Sequence, residues 1–67
     1  MQNIASERKR LDISQEKLAE YMGVSATTIR NWEAGRTAPD ADQLFKMREL
    51  FHCTSDYLIG ATDERTS

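Results

Sequence analysis

Hydrogen-bonding side chains and methyl groups share one side of a short segment in the middle of the chain. Ile29 and Trp32 lie three residues apart, the spacing of an apolar stripe on a helix, and we expect both to point inward. The side chains left on the outer side belong to Ala26, Thr27, Arg30 and Asn31. An amide both donates and accepts hydrogen bonds, as the edge of adenine requires, and a methyl group can pack on the methyl of thymine. These side chains are therefore suited to contacts with base-pair edges.

Two short helices joined by a tight turn are predicted to hold these side chains. Ser14 can cap a helix over residues 15 to 22, and Gly23 follows where a helix commonly ends in a left-handed residue. Ser25 can cap a second helix over residues 26 to 34, which another glycine ends. This order of helix, turn and helix is the one that places its second helix in the major groove of DNA.

The flanking segments predict three further helices, so we expect an all-α, compact five-helix fold. The first helix should span residues 2 to 11, and the fourth should span residues 41 to 51 with Asp40 as its cap. A short last helix over residues 56 to 59 should follow, with Ser55 as its cap. The predicted helix-turn-helix is thus the second and third of five helices.

The length of the chain, 67 residues, allows one small domain with a thin core. We expect this domain to cover residues 1 to 60 and a flexible tail to cover residues 61 to 67, because the tail has no apolar periodicity. Apolar residues make up 39% of the chain and charged residues 30%, which favours a globular domain over a disordered one.

Catalytic and metal-binding chemistry finds little support in the sequence. His52 and Cys53 are adjacent, but further metal ligands at suitable spacing are missing, and no base is placed to activate the thiol. We therefore expect no enzyme activity, no metal and no cofactor. A single cysteine excludes an internal disulfide and fits a reducing cytoplasm, and no apolar run approaches the length of a membrane span.

The charge of the chain is unevenly distributed. The net charge of −2 argues against nucleic-acid binding at first sight, because proteins that contact phosphates are usually basic. Residues 1 to 36 nevertheless carry six Lys or Arg against five Asp or Glu, whereas residues 37 to 67 carry three against six. The basic side chains are thus concentrated in the half that contains the predicted helix-turn-helix.

A set of short motifs in this order resembles the lambda-repressor/Cro-type helix-turn-helix family of phage repressors and small bacterial regulators. The motifs are SQEKLA at residues 14 to 19, GVS at 23 to 25, Thr28-Ile29, WEAG at 32 to 35, Pro39 and DYLIG at 56 to 60. The likeness runs from about Ile4 to Gly60 and includes the helices on both sides of the helix-turn-helix, so it covers nearly the whole chain.

The resemblance implies which residues contact DNA. It assigns base contacts to Ala26, Thr27 and Asn31, and it lets Gln15 reach an outer base pair or a phosphate. Arg30 is a further candidate for a base contact, to a guanine, although the phosphate is the favoured partner for its guanidinium. Phosphate contacts are expected from Ser25, Thr28, Arg36 and Thr37, together with backbone N–H groups at the start of the second and fourth helices.

Two residues of this chain weaken the contacts expected along the path of the DNA backbone. Ala34 stands where members often have a polar or basic residue, and Asp40 adds a negative charge at the start of the fourth helix.

The family also commonly joins an arginine of the first helix to the glutamate after the third-helix tryptophan. We therefore expect Arg8 and Glu33 to form a structural ion pair, with a direct DNA contact of Arg8 as the alternative.

The expected function is sequence-specific regulation of transcription, as a repressor, by a homodimer on a palindromic double-stranded operator. Candidates for the dimer contact, each of which could instead be a core residue, are Phe51, Tyr57, Leu58 and Ile59. The alternative is an antitoxin-like or adaptor module whose acidic C-terminal half binds a protein partner.

Overall fold

The computed structural model describes residues 3–65, which form five helices. They are α1 (Ile4–Arg10), α2 (Gln15–Met22), α3 (Ala26–Ala34), α4 (Ala41–Phe51) and α5 (Ser55–Leu58). Their packing confirms the expected all-α, five-helix fold. α2 packs most closely on α3, and α1 contacts α3, while α4 contacts both α2 and α5.

The ends of α2 and α3 follow from local sequence. The hydroxyl of Ser14 accepts a hydrogen bond from the backbone N–H of Lys17 at 3.0 Å, and the hydroxyl of Ser25 accepts one from Thr28 N–H at 3.2 Å. Each bond satisfies a donor that a helix leaves unpaired in its first turn. Gly23 ends α2 at φ 72°, a left-handed conformation that glycine adopts without a steric cost.

The predicted bounds of the first and last helices are wrong by one or two residues, and α5 spans Ser55–Leu58 instead of residues 56 to 59. The sequence predicts the first helix over residues 2 to 11, whereas α1 begins at Ile4, after Asn3 as its cap, and ends one residue earlier than predicted; residue 2 lies outside the described part of the chain. The cap of α5 is Thr54, whose hydroxyl accepts from Tyr57 N–H at 3.1 Å, and Ser55 is the first helical residue. Threonine and serine cap helices by the same bond, so their adjacency left the register open.

Between residues 3 and 65, two residues other than glycine adopt left-handed backbone conformations. Asp12 has φ 58° in the connection between α1 and α2, and His52 has φ 54° where α4 ends. For a residue with a Cβ this conformation costs about 1 kcal/mol. The strain at Asp12 therefore has a counterpart at a second junction, where the sequence contains histidine instead of glycine.

Every helix contributes a side chain to one core. The largest fully buried side chains are Ile4, Leu18, Ile29, Met47, Phe51 and Leu58. Trp32 and Met22 are buried beside them, and Ala19 lies where α2 and α3 cross. The small side chain of Ala19 permits this close approach of the two helices, so the core itself sets the position of α3.

A buried carboxylate ties the C-terminal segment to the first helix. Glu7, whose residue surface is 2% exposed, accepts hydrogen bonds from Arg10 Nε at 3.0 Å and from Arg65 Nε at 2.8 Å. Both guanidinium groups also donate to the carbonyl of Phe51 at the end of α4. We call this arrangement the Glu7 clasp. It joins α1, α4 and residue 65, so the described part of the predicted tail contacts the domain, whereas the flexibility of that segment stays a prediction.

Replacing Arg65 with alanine should lower the free energy of unfolding by about 1.5 kcal/mol, because charge-assisted hydrogen bonds to Glu7 and to a helix-terminal carbonyl are lost. Urea unfolding followed by circular dichroism measures this change. Arg65→Lys should be more stable than Arg65→Ala but less stable than the wild type, since a lysine cannot donate to both acceptors as a planar fork. Asp63→Ala, at an exposed position of the same segment, is the control and should change stability little. An Arg65→Ala variant as stable as the wild type would show that the clasp contributes nothing.

Candidate nucleic-acid interface

The outward face of α3 consists of Thr27, Arg30, Asn31 and Ala34. Thr27, Arg30 and Ala34 are exposed, and Asn31 is half-buried, because Ile29 and Trp32 take the opposite side of the helix into the core. Ala26, the remaining candidate for a base contact, is half-buried and packs against the core. α3 therefore presents the hydroxyl and methyl of Thr27, the guanidinium of Arg30 and the amide of Asn31 on one side. Its other side is fixed in the core by buried side chains.

The guanidinium of Arg30 lies back along α3 rather than extending freely from it. Its Nη2 donates to Thr27 Oγ1 at 3.2 Å, a contact between side chains three residues apart on one face. The two side chains thus form one polar unit. The guanidinium therefore lies beside the outward face of α3, and its contact with a base edge or a phosphate stays a prediction.

The candidates for phosphate contacts fall into two groups. Ser25 and Thr28 are linked by their hydroxyls at 3.0 Å and already serve the cap of α3. Arg36 and Thr37 are exposed in the loop after α3, and both backbone N–H groups donate to the carbonyl of Asn31. Within residues 3–65 the guanidinium of Arg36 has no hydrogen-bond or ion-pair partner. Arg36 is therefore the most available cation beside α3.

The start of α4 is less suited to anion binding than its helix polarity suggests. Asp40 Oδ1 accepts from Gln43 N–H at 2.8 Å, and Gln43 Oε1 accepts from Asp40 N–H at 2.8 Å. This capping box occupies two backbone donors with the protein's own side chains and adds a negative charge. A phosphate here would compete with Asp40.

Glu33 connects α3 to both preceding helices. Arg8 Nε donates to Glu33 Oε2 at 2.8 Å, and the two side chains are only 13% and 11% exposed. Arg8 Nη1 also donates to the carbonyl of Ile13 at 3.0 Å, so the guanidinium faces the interior of the domain. Gln15 Nε2 donates to Glu33 Oε1 at 3.0 Å. The side chain of Gln15 therefore lies at the edge of α3, next to the face that carries the base-contact candidates.

Comparison with known families decides which fold family this arrangement represents. The family model described as helix-turn-helix matches residues 4–58, which is most of the chain. The chain belongs to the helix-turn-helix family.

Relatives of this helix-turn-helix domain confirm the lambda-repressor/Cro-type resemblance. The chain is 34% identical over 66 residues to repressor protein C2 of Salmonella phage P22, covering 98% of this chain and 31% of the relative. It is 31% identical over 65 residues to the cryptic phage CTXphi transcriptional repressor RstR of Vibrio cholerae, covering 94% of this chain and 58% of the relative. The chain thus spans less than two thirds of the length of either relative.

A solved structure has the same fold as this helix-turn-helix domain. The P22 c2 repressor, crystallised in complex with synthetic operator 9T in the presence of Tl⁺, superposes with a TM-score of 0.75 at 36% identity. The match covers 82% of this chain and 83% of the other. At 36% identity the two proteins are similar in sequence as well as in fold.

The candidates for a dimer contact in the helix-turn-helix domain separate into two classes. Phe51 and Leu58 are fully buried within the single chain, so their assignment as dimer contacts is wrong: they have no surface left for a second chain. Tyr57 is half-buried, and Ile59 is 44% exposed. The last two remain candidates, because each keeps surface at the end of α5.

Other chemistry in the helix-turn-helix domain is limited. Among residues 3–65 no three His, Cys, Asp or Glu side chains are grouped to hold a metal ion, and none of the helices there is long and apolar enough to cross a bilayer. Burial raises the pKa of the Cys53 thiol, and the Glu7 charge raises it further, so the thiol stays protonated at neutral pH. Desolvation likewise raises the pKa of Tyr57, followed by the effect of Glu7.

Proposed function

We propose that this domain is a cytoplasmic, non-enzymatic repressor of transcription that inserts α3 into the major groove of double-stranded DNA. The single observation that carries the proposal is the likeness, at 36% identity, to a repressor crystallised with its operator. The outward face of α3 supports it, because Thr27, Arg30 and Asn31 offer the hydrogen-bonding groups that base-pair edges require.

We propose a role in the complex for each candidate residue, and its position in the domain supports that role. Thr27, Arg30 and Asn31 contact base edges, with Ala26 as a methyl contact at the edge of the core, while Arg36 and Thr37 contact the backbone beyond α3. A single domain of this size buries too little DNA for strong selectivity, so two copies bind a palindromic operator as a homodimer. Tyr57 and Ile59 are the proposed dimer contacts.

The experiment that tests the function is a selection of bound sequences from randomised duplexes, followed by affinity measurements on the selected operator and on a scrambled duplex. The expected result is a palindromic consensus and an affinity that falls steeply with salt. Analytical ultracentrifugation of the complex should give two protein chains per duplex. A chain that binds neither duplex at low salt would refute the proposal.

Replacing Arg36 with alanine should weaken binding to the selected and scrambled duplexes by similar factors, because a phosphate contact carries no base information. The slope of log affinity against log salt should become shallower by about one unit. Arg48→Ala in α4 is the control with the same change of charge, since Arg48 lies over the Phe45 ring instead of in the loop after α3. A loss confined to the selected operator, with an unchanged slope, would mean that Arg36 reads bases.

A protein-interaction module, antitoxin-like or adaptor, is the second candidate, and one feature of the surface favours it. An open cleft of about 260 Å³ is lined by Ile13, Tyr21 and Leu50 among others, and Lys46 lies 5.0 Å from the centre of the Tyr21 ring. Apolar side chains in an open cleft are typical of protein contacts. If the chain binds no DNA at low salt, this cleft becomes the first surface to test.

A further inference from the structure

The carboxylate of Glu33 is shared by two side chains from different helices. Arg8 of α1 donates to it at 2.8 Å, and Gln15, the first residue of α2, donates to it at 3.0 Å. Arg8 Nη2 also lies 3.5 Å from Glu33 Oε1, the oxygen that accepts from Gln15. Arg8 and Glu33 are both mostly buried, so the ion pair with Arg8 holds the carboxylate in place independently of Gln15.

The chemistry of this contact decides which way the amide of Gln15 is turned. A free glutamine amide can rotate by half a turn and exchange its oxygen for its nitrogen at little cost. An ionised carboxylate only accepts hydrogen bonds, so Gln15 must direct an N–H group at Glu33. Its Oε1 and its second N–H then have no partner within residues 3–65.

These two remaining groups lie beside the outward face of α3. Glu33 follows Arg30 by three residues, which makes the two side chains neighbours on the surface of the helix. The amide that Glu33 holds is therefore at the edge of the proposed reading surface. A phosphate group offers acceptors only, so it can pair with the free N–H of Gln15 but not with Oε1, whereas the major-groove edge of adenine offers a donor next to an acceptor and can pair with both.

We propose that Glu33 is a positioning residue for DNA recognition, which fixes Gln15 so that one oxygen and one N–H face an adenine at the outer end of each half-site. This inference rests on the proposed function and extends it to a residue that itself touches no DNA. Arg8 acts one step further back, because it holds the carboxylate that orients the amide.

The variant Glu33→Gln reverses the orientation without changing the size of the side chain. Arg8 can only donate, so it retains the amide oxygen of the new residue, and the amide nitrogen then faces Gln15. Gln15 must turn its oxygen inward and present two N–H groups. In a selection from randomised duplexes, Glu33→Gln should lose the adenine preference at one outer base pair and keep the preferences at the inner ones.

Affinities for the wild-type operator test the coupling of the two residues. Gln15→Ala and Glu33→Gln should each weaken binding about tenfold, the size of one lost base contact, and the double variant should lose no more than either alone. Glu20→Gln is the matched control: Glu20 lies exposed on α2, so the same charge change should leave the base preferences unaltered. Losses that multiply in the double variant would overturn the inference, as would an unchanged preference in Gln15→Ala.

Nuclear magnetic resonance of the wild-type domain without DNA keeps the test independent of how well Glu33→Gln folds. One of the two side-chain N–H protons of Gln15 should exchange with water more slowly than the other, because it is bound to Glu33. Equal exchange of both protons would overturn the inference. A wild-type domain that binds no duplex refutes the proposed function instead. A wild-type domain that selects an operator but shows no base preference at the outer base pair refutes the positioning role alone.

Discussion

Arg8→Ala and Glu33→Ala will each lower the free energy of unfolding by about 3 kcal/mol. Each change leaves the charge of the partner side chain in a site from which water is largely excluded. The two side chains are 13% and 11% exposed and lie 2.8 Å apart. Arg8→Ala also removes the donor to the carbonyl of Ile13. The double variant should lose less than the sum of the single losses, since no charge is then left unpaired.

Denaturant unfolding followed by the fluorescence of Trp32, which is buried in α3, measures these changes in the folded core itself. The control is the pair of Lys17 and Glu20 on α2, whose side chains are 65% and 77% exposed at a separation of 3.8 Å. Alanine at either control position should change stability by less than about 1 kcal/mol. Strictly additive losses at Arg8 and Glu33 would contradict their coupling.

Binding to the selected operator should weaken by about 1–3 kcal/mol in Asn31→Ala and in Thr27→Ala, whereas binding to a scrambled duplex should change little. Asn31 and Thr27 lie on the side of α3 that faces away from the core, so both variants should keep the fold. Thr27→Ala has a second consequence, because it removes the acceptor that holds Arg30 at 3.2 Å. Selection from randomised duplexes should therefore show relaxed preference at more base pairs for Thr27→Ala than for Asn31→Ala.

Two further variants make this result specific. Thr27→Ser keeps the hydroxyl and removes the methyl group, so it should retain the Arg30 contact and lose only a contact to thymine. Thr62→Ala removes a hydroxyl that caps Glu64 N–H, far along the chain from α3, and should leave operator binding unchanged. An Asn31→Ala variant that selects the wild-type sequence with wild-type affinity would exclude Asn31 as a base contact.

The helix-turn-helix could be predicted from sequence because its determinants are local. Ser14, Gly23 and Ser25 each act within one helical turn, and α2 and α3 begin and end at the predicted residues. The apolar spacing of Ile29 and Trp32 likewise sorted the side chains of α3 into an inner and an outer side. Periodicity therefore placed Thr27, Arg30 and Asn31 on the outward face of α3, whereas it missed that Ala26 packs against the core.

The contacts that the sequence could not predict join residues far apart in the chain. Glu7 stands in the charged run ERKR, where local pattern favours an exposed position, but it is buried in contact with Tyr57 and Arg65, which lie about fifty residues further along the chain. Gln15 and Glu33 are separated by 18 positions, so their hydrogen bond depends on how α2 crosses α3. Apolar spacing also cannot separate core from interface, which is why Phe51 was assigned to a dimer contact that its burial excludes.

The Glu7 clasp bears on how the limits of such a domain are drawn from homology. The family match ends at residue 58, yet Arg65 supplies one of the two guanidinium groups on the buried carboxylate. A fragment cut at the end of the match, or a fusion joined there, would keep all five helices and lose half of the charge balance around Glu7. The family match would still cover such a fragment fully, although the carboxylate would keep only the guanidinium of Arg10 and the hydroxyl of Tyr57 as partners among the described residues. For this chain the unit that transfers intact to another protein ends no earlier than residue 65.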